Sequence, residues 1–75
     1  MKKSEMKLVN KELPFYKVNK ASKNKFDAKF EVWRLNKAKG FYNFVCYTDD
    51  DSQENINKII LEDINKRGNY YGKKL

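Results

Sequence analysis

The sequence predicts a small α+β domain in which a two- or three-stranded antiparallel sheet is followed by one C-terminal amphipathic helix (ββα or βββα). Two apolar, aromatic-rich segments separated by a glycine-containing turn predict a hairpin, and a later stripe of isoleucines at helical spacing predicts the helix. A chain of 75 residues has room for one domain with a small core. Aromatic residues make up 15 % of it, which argues against a disordered chain.

The N-terminal segment, residues 1–14, mixes charged and apolar positions and fits either a short helix or a weak strand. It is either mobile or folded over the sheet. Pro14 restricts the residue before it, so we place the start of the α+β domain at residue 15 and its end at residue 68. Phe15–Val18 is a candidate strand, and the polar residues 19–25 indicate a loop.

Residues 26–35 alternate between apolar and polar side chains, as expected for a strand with one buried face. After Val32 the alternation shifts, so that Trp33 and Leu35 fall on the polar face and Arg34 falls on the apolar face. Either a β-bulge redirects the end of the strand, or the outer face has an aromatic patch. The apolar positions before the shift are Phe26, Ala28, Phe30 and Val32.

Residues 36–40 form the predicted turn of the hairpin, with Gly40 available for a positive φ. The second strand is predicted over residues 41–48, which are apolar on both faces. Two registers give acceptable inner faces. They place Val32 opposite Phe44 or Val45, and correspondingly Trp33 opposite Asn43 or Phe44.

The most regular element is a helix over residues 52–67, capped at its N-terminus by Asp51 or Ser52. Gly68 is the expected residue just beyond its C-terminus. Residues 69–75 form a basic aromatic tail without hydrophobic periodicity. The apolar stripe of the helix comprises Ile56, Ile59, Ile60 and Ile64, flanked by Leu61.

The net charge of +7 is unevenly distributed, with +8 on residues 1–48 and −1 on residues 49–75. Such a field attracts polyanions. Fifteen of the 17 cationic residues are lysines, which suit the phosphate backbone better than the base-specific contacts that arginine makes. Part of the lysine excess is equally explained by an A/T-rich coding sequence, since asparagine is abundant as well.

The residues needed for most catalytic chemistry are missing from the sequence. It contains no histidine, one cysteine and three glycines, so it has no usual general base, no thiolate zinc site and no glycine-rich phosphate loop. We expect no enzyme, no metal and no cofactor. A lone cysteine, the lack of an apolar leader and the lack of an apolar run predict a cytoplasmic protein without a membrane partner.

Three groups of residues are candidates for binding: the lysines of two loops, the aromatic residues of the sheet and the basic aromatic tail. We expect the loop of residues 19–25 to lie beside the tip of the hairpin, so that lysines from both meet phosphates. Each group has a competing interpretation. The loops are then ordinary solvated loops, the aromatic sheet face is covered by residues 1–16, and the tail is a frayed terminus. The candidate nucleic-acid contacts are Lys17, Lys20, Lys23, Lys25, Lys29, Arg34, Lys37, Lys39, Arg67 and Lys73. The candidate aromatic contact face comprises Trp33, Tyr42, Phe44, Tyr70 and Tyr71.

These features favour a small nucleic-acid-binding protein that contacts DNA or RNA with low sequence specificity through lysine-rich loops and sheet aromatics. The alternative is a non-enzymatic phage or mobile-element protein that inhibits or modulates a host protein or nucleoprotein complex. Its aromatic face would then be the contact, and an acidic partner surface its target. A subunit that folds fully only on assembly is a third possibility.

Overall fold

A computed structural model describes the backbone of residues 2–72 and the side chains of residues 2–67. It confirms the α+β class, with a three-stranded antiparallel sheet followed by a C-terminal helix. An additional helix precedes the sheet. The elements in chain order are α1 (Lys3–Glu12), a 3-10 turn (Leu13–Phe15), β1 (Tyr16–Lys20), β2 (Phe30–Asn36), β3 (Phe41–Thr48) and α2 (Gln53–Gly72).

The N-terminal segment is a helix, which resolves the choice between helix and strand. The Glu5 carboxylate accepts a hydrogen bond from the backbone N–H of Lys2 at 2.9 Å, which satisfies one donor at the start of α1. Val9 is fully buried in the core, and α1 packs against α2. The segment therefore belongs to the packed body on the helical side of the sheet, and the body begins before the predicted boundary at residue 15.

The sheet has the order β1-β2-β3, and both pairings are antiparallel. β3 has the predicted bounds, and Gly40 in the turn before it has the expected positive φ of 78°. β2 begins at Phe30 rather than at residue 26. The alternating residues before it belong to a loop, in which Asp27 adopts a left-handed φ of 54°.

A β-bulge sets the register between β2 and β3. Val32 lies opposite Cys46, whereas Trp33 lies opposite Phe44, so Val45 is the extra residue on β3. Neither partner predicted for Val32 is correct, while Phe44 is one of the two predicted partners of Trp33. Because of the bulge, Val45 and Cys46 both pack against the core although they are neighbours in a strand.

Helix α2 begins after Ser52, whose Oγ accepts a hydrogen bond from the N–H of Asn55 at 3.3 Å. Of the two predicted caps, Ser52 is therefore the observed one. The helix continues past Gly68 to Gly72, so the predicted end at Gly68 is wrong, because a helix-interior glycine costs only about 1 kcal/mol relative to alanine. Residues 69–72 are helical rather than irregular, and residues 73–75 lie outside the described range.

The core lies between one face of the sheet and the two helices, and the predicted isoleucine stripe of α2 forms part of it. No helix in the described range is long and apolar enough to cross a membrane. The opposite face of the sheet remains open, so its side chains are available for contacts. The most buried core residues are Val9, Tyr16, Val32, Ile56 and Ile60.

Candidate nucleic-acid interface

The open face of the sheet, called the outer face below, follows from strand register. Lys17 on β1, Trp33 on β2 and Phe44 on β3 lie in one row across the sheet. Since side chains two positions apart share a face, neighbouring rows can be assigned from this one. The outer face comprises Lys17 and Asn19 on β1, Glu31, Trp33 and Leu35 on β2, and Tyr42, Phe44 and Tyr47 on β3.

Four aromatic rings form a continuous chain of contacts, called the aromatic ridge below. The ring centroids are 5.4 Å apart for Trp33 and Phe44, 4.9 Å for Phe44 and Tyr47, and 5.8 Å for Tyr47 and Phe26. Phe44 is 46 % exposed and Phe26 is 65 % exposed, so much of the ridge is open to solvent. The alternative in which residues 1–16 bury the aromatic face is therefore wrong, because α1 packs on the other side.

The half-buried Trp33 is held in place by its indole N–H, which donates a hydrogen bond to the Glu31 carboxylate at 3.0 Å. This contact satisfies the one polar group of the indole and leaves a carboxylate near the middle of the outer face. A phosphate would be repelled at this point, whereas a neutral base would not.

The loop before β2 is organised by Asn24, and this positions Phe26. The Asn24 amide oxygen accepts hydrogen bonds from the N–H groups of Phe26 and Ala28, each at 3.1 Å. Its amide nitrogen donates to the carbonyl oxygens of Ser22 at 2.8 Å and Ala28 at 3.2 Å. The Asn24 side chain thus makes four hydrogen bonds within the loop that brings Phe26 onto Tyr47.

Lysine ammonium groups lie over aromatic rings beside the ridge. The Nζ of Lys17 lies 4.3 Å from the ring centroid of Tyr42, and that of Lys25 lies 5.3 Å from the ring centroid of Phe26. Since β1 and β3 are not adjacent, the Lys17 side chain reaches across the central strand. Positive charge and aromatic surface are thus brought together on the outer face, as cation–π contacts require.

The lysine-rich loop and the hairpin tip do not lie side by side, so that expectation is wrong. In an antiparallel meander the connection between β1 and β2 and the connection between β2 and β3 lie at opposite ends of the central strand. The seven residues of β2 separate them by about 20 Å. Lys20, Lys23, Lys25 and Lys29 are exposed at one end, and Lys37 and Lys39 are exposed at the other.

The hairpin tip is itself ordered by a side chain. The amide oxygen of Asn36 accepts hydrogen bonds from the N–H groups of Ala38 and Lys39, each at 3.1 Å. Within the turn, Lys37 places its Nζ 4.0 Å from the ring centroid of Phe15. Both lysine clusters are therefore supported by asparagine-centred turns rather than by extended flexible loops.

The two arginines in the predicted contact set do not lie on the outer face. The guanidinium of Arg34 forms an ion pair with Asp63 at 2.5 Å on the helical side of the sheet. Burial opposes its charge, but the hydrogen bond and the charge of Asp63 outweigh this, so the pKa of Arg34 is raised. Arg67 lies 3.6 Å from Asp63 and 3.7 Å from Glu12, so both arginines are paired within the fold and away from the outer face.

The predicted tail contacts are not placed by the structure. Tyr70 and Tyr71 belong to the backbone of α2, and their side chains lie outside the described set. Lys73 lies outside the described residues altogether.

The cysteine and the acidic side chains elsewhere in the described residues show no arrangement suited to catalysis or metal binding. Burial raises the pKa of the Cys46 thiol, which favours the unreactive protonated form. Hydrogen bonds from Ser52 lower the pKa of Asp50 at the start of α2. No group of three or more acidic or cysteine side chains is arranged to hold a metal ion within the described part of the chain.

Three exposed or ridge aromatics were not among the predicted contacts: Phe26, Phe41 and Tyr47. Phe26 was assigned to the buried face of a strand because the loop before β2 happens to alternate like one. The bulge at Val45 places Tyr47 on the same face as Phe44, three positions away, which a strict two-residue period does not allow. The alternation shift after Val32 was the one available signal of this irregularity.

Comparisons with protein-family models, with curated proteins and with solved structures give no match.

Proposed function

We propose that the protein binds single-stranded DNA or RNA on the outer face of its sheet, with low sequence specificity and without catalysis. The observation that supports this most directly is the aromatic ridge, in which the exposed rings of Phe26 and Phe44 adjoin the half-buried Trp33 and Tyr47 beside lysine ammonium groups. Stacking on aromatic rings contributes about 1 to 3 kcal/mol per base and tolerates any base, because every base has a π-face.

The aromatic ridge favours a single strand over a duplex. In a duplex the base faces are stacked on one another and cannot meet protein rings, whereas unpaired bases can turn towards them. The outer face presents strands and rings rather than a protruding helix, so it offers no recognition helix to the major groove.

The charges of the outer face suggest the route of the phosphate backbone. Lysines lie at both ends of the sheet, about 20 Å apart by strand length, and Lys17 reaches onto the face between them. The Glu31 carboxylate beside Trp33 disfavours a phosphate at the centre. We therefore expect phosphates over the two lysine clusters and bases over the ridge.

Low specificity follows from the position of the arginines. Bidentate reading of guanine edges is an arginine property, and Arg34 and Arg67 are engaged by Asp63 within the fold. The remaining cations near the outer face are lysines, which attract phosphates without reading sequence. The proposal places the protein in the cytoplasm, where nucleic acid is accessible and the Cys46 thiol stays reduced.

The second candidate is a protein contact, as in an inhibitor or modulator of a host complex. It is favoured by the apolar character of Phe26 and Phe44, since exposed clustered aromatic rings are also typical of binding hot spots. In that case an acidic partner surface would complement the lysines.

Fluorescence anisotropy with a labelled mixed-sequence single strand and its matched duplex tests the proposal. We expect micromolar binding of the single strand, weaker binding of the duplex, and quenching of Trp33 fluorescence as bases stack. Raising the salt concentration several-fold should release the strand through loss of counterion-driven binding. No binding to any single strand at low salt, together with capture of a protein from nuclease-treated extract, would support the second candidate and exclude the first.

A further inference from the structure

We infer that two copies of the chain associate through the free edge of β3 and form a continuous six-stranded sheet. β3 pairs only with β2 in the sheet, so its other edge presents backbone N–H and C=O groups without strand partners among the described residues. None of the eight residues of β3 is charged, in a chain in which 36 % of residues are charged. An edge of this composition lacks the usual protection against pairing.

A cleft lies along this edge on the helical side of the sheet. It has a volume of about 340 Å³ and runs between β3 and α2. Val45 and Cys46 line one wall and Ile59 lines the other, and all three are only half-buried. The helix therefore leaves the apolar margin of β3 incompletely covered, and a neighbouring molecule could complete it.

The rim of the cleft is self-complementary in charge. Glu62 and Lys66 both line it, both are exposed, and neither forms an ion pair with another described side chain. A two-fold axis through this edge would bring Glu62 of each copy towards Lys66 of the other. Self-complementarity of this kind is what an isologous interface requires.

The position of Glu62 and Lys66 along the length of β3 is compatible with a two-fold axis at this edge. Asp63 lies between them on α2 and contacts Arg34, and Arg34 lies opposite Asn43 on β3. The rim charges are therefore level with the segment 41–44, which precedes the bulge at Val45. Because the bulge interrupts regular pairing, we expect this four-residue segment to be the part of the edge that pairs.

The other edge pairings are less favourable. β1 carries Lys17 and Lys20, so pairing of two β1 edges would oppose like charges. Pairing of β1 with β3 of the next copy is heterologous and would propagate into a chain of molecules rather than close. Pairing of two β3 edges closes the assembly and places two outer faces side by side.

Sedimentation equilibrium of nucleic-acid-free protein tests the inference directly. We expect a concentration-dependent dimer with a dissociation constant in the range of about 1 to 100 µM, typical of a small interface. The Lys66→Glu variant should dissociate at least about tenfold more readily, a change equivalent to about 1.4 kcal/mol. The Glu62→Lys/Lys66→Glu double variant, which exchanges the two charges, should restore the dimer.

Lys58→Glu is the matched control, because it makes the same charge change at an exposed position of the same helix outside the cleft. It should leave the dissociation constant within about twofold, and circular dichroism should show that every variant is folded. Hydrogen exchange should show that those amides of residues 41–44 that point away from β2 gain protection as protein concentration rises. A monomer at all concentrations, equal effects of Lys66→Glu and Lys58→Glu, or a dimer without added protection at residues 41–44 would each overturn the inference.

Discussion

Tyr16 donates its phenolic hydrogen to the carboxylate of Asp63, which joins β1 to α2 across 47 positions of the chain. The same carboxylate pairs with Arg34 of β2, and Arg67 donates a hydrogen bond to the Tyr16 oxygen at 3.1 Å while lying 3.7 Å from Glu12 of α1. Asp63 thus links two strands to α2, and Arg67 extends the same cluster to α1. Since buried polar groups are costly when unpaired, the interaction specifies how the helices sit on the sheet.

Replacing Asp63 should therefore destabilise the fold. We expect Asp63→Asn to lower the free energy of unfolding by about 1 to 3 kcal/mol, because it removes the acceptor charge shared by two arginines that remain partly solvated. Asn65→Ala, at an exposed position of the same helix, is the control and should change stability by less than about 0.5 kcal/mol. Urea unfolding followed by circular dichroism measures both, and equal midpoints would contradict the role of Asp63.

The same contact predicts a loss of stability in alkali. Burial, together with the hydrogen bond and charge of Asp63, raises the pKa of Tyr16 from 10.0 to about 12. Between these values the folded state keeps a proton that the unfolded state has released, so this contribution to stability is present below pH 10 and is lost as pH rises towards 12. A shift of this size corresponds to about 2 to 3 kcal/mol.

Comparison of the wild type with Tyr16→Phe isolates this effect from the deprotonation of lysines, which both proteins share. Ultraviolet titration should show one late-ionising tyrosine in the wild type and its absence in Tyr16→Phe. The difference in unfolding free energy between the two proteins should shrink from pH 10 to pH 12. A difference that stays constant over this range would show that Tyr16 ionises normally.

Val9 tests whether α1 is an integral part of the domain. Its side chain is fully buried against the core, whereas the neighbouring Leu8 is 47 % exposed. We expect Val9→Ala to lower the free energy of unfolding by about 1 to 3 kcal/mol and Leu8→Ala to change it by less than about 0.5 kcal/mol. Equal effects of the two substitutions in a denaturant titration would show that α1 does not contribute specific packing.

The elements with strong periodicity were predictable from sequence, and those dependent on tertiary contacts were not. The isoleucine stripe of α2 and the turn before β3 follow from local spacing and turn chemistry. α1 was ambiguous because its scattered apolar positions fit a helix or a strand, and Val9 is its one fully buried residue. Residues 26–29 were assigned to a strand because their turn is made by hydrogen bonds to the Asn24 side chain, which leave the apolar alternation of the sequence unchanged.

The faces of the strand residues in the candidate site were predictable from sequence, but the partners of its charged residues were not. The shift after Val32 correctly placed Trp33 on the outer face with Glu31, and it placed Arg34 on the apolar face. A charge on that face requires a buried partner, which in this fold is Asp63. The prediction of Arg34 as a nucleic-acid contact did not take its position on the apolar face into account. The partner itself lies 29 positions away and could not be identified without the packing of α2.

The aromatic ridge predicts the effect of removing one ring. Phe44→Ala should weaken single-strand binding by about 1 to 3 kcal/mol, or roughly 5- to 150-fold, because Phe44 contacts both Trp33 and Tyr47 at the centre of the ridge. Phe41→Ala is the matched control, since Phe41 is similarly exposed on the same strand but makes no contact with ridge rings. Anisotropy titrations at protein concentrations too low for self-association measure both. Equal losses for the two variants would argue against stacking on the ridge.

The two lysine clusters should act independently, because about 20 Å separates them and screening at ordinary ionic strength acts over about 10 Å. Lys23→Gln/Lys25→Gln at one end and Lys37→Gln/Lys39→Gln at the other should each weaken binding of every sequence alike. Each pair should reduce the slope of log affinity against log salt by up to about 1.4, since a single strand releases about 0.7 counterion per contact. The combined variant should show the sum of the two reductions.

Lys58→Gln on α2, away from the outer face, should leave the slope unchanged. If the slope instead followed net charge alone, with Lys58→Gln as effective as any single lysine at the sheet ends, the strand would be held by the general positive field and not by the two clusters.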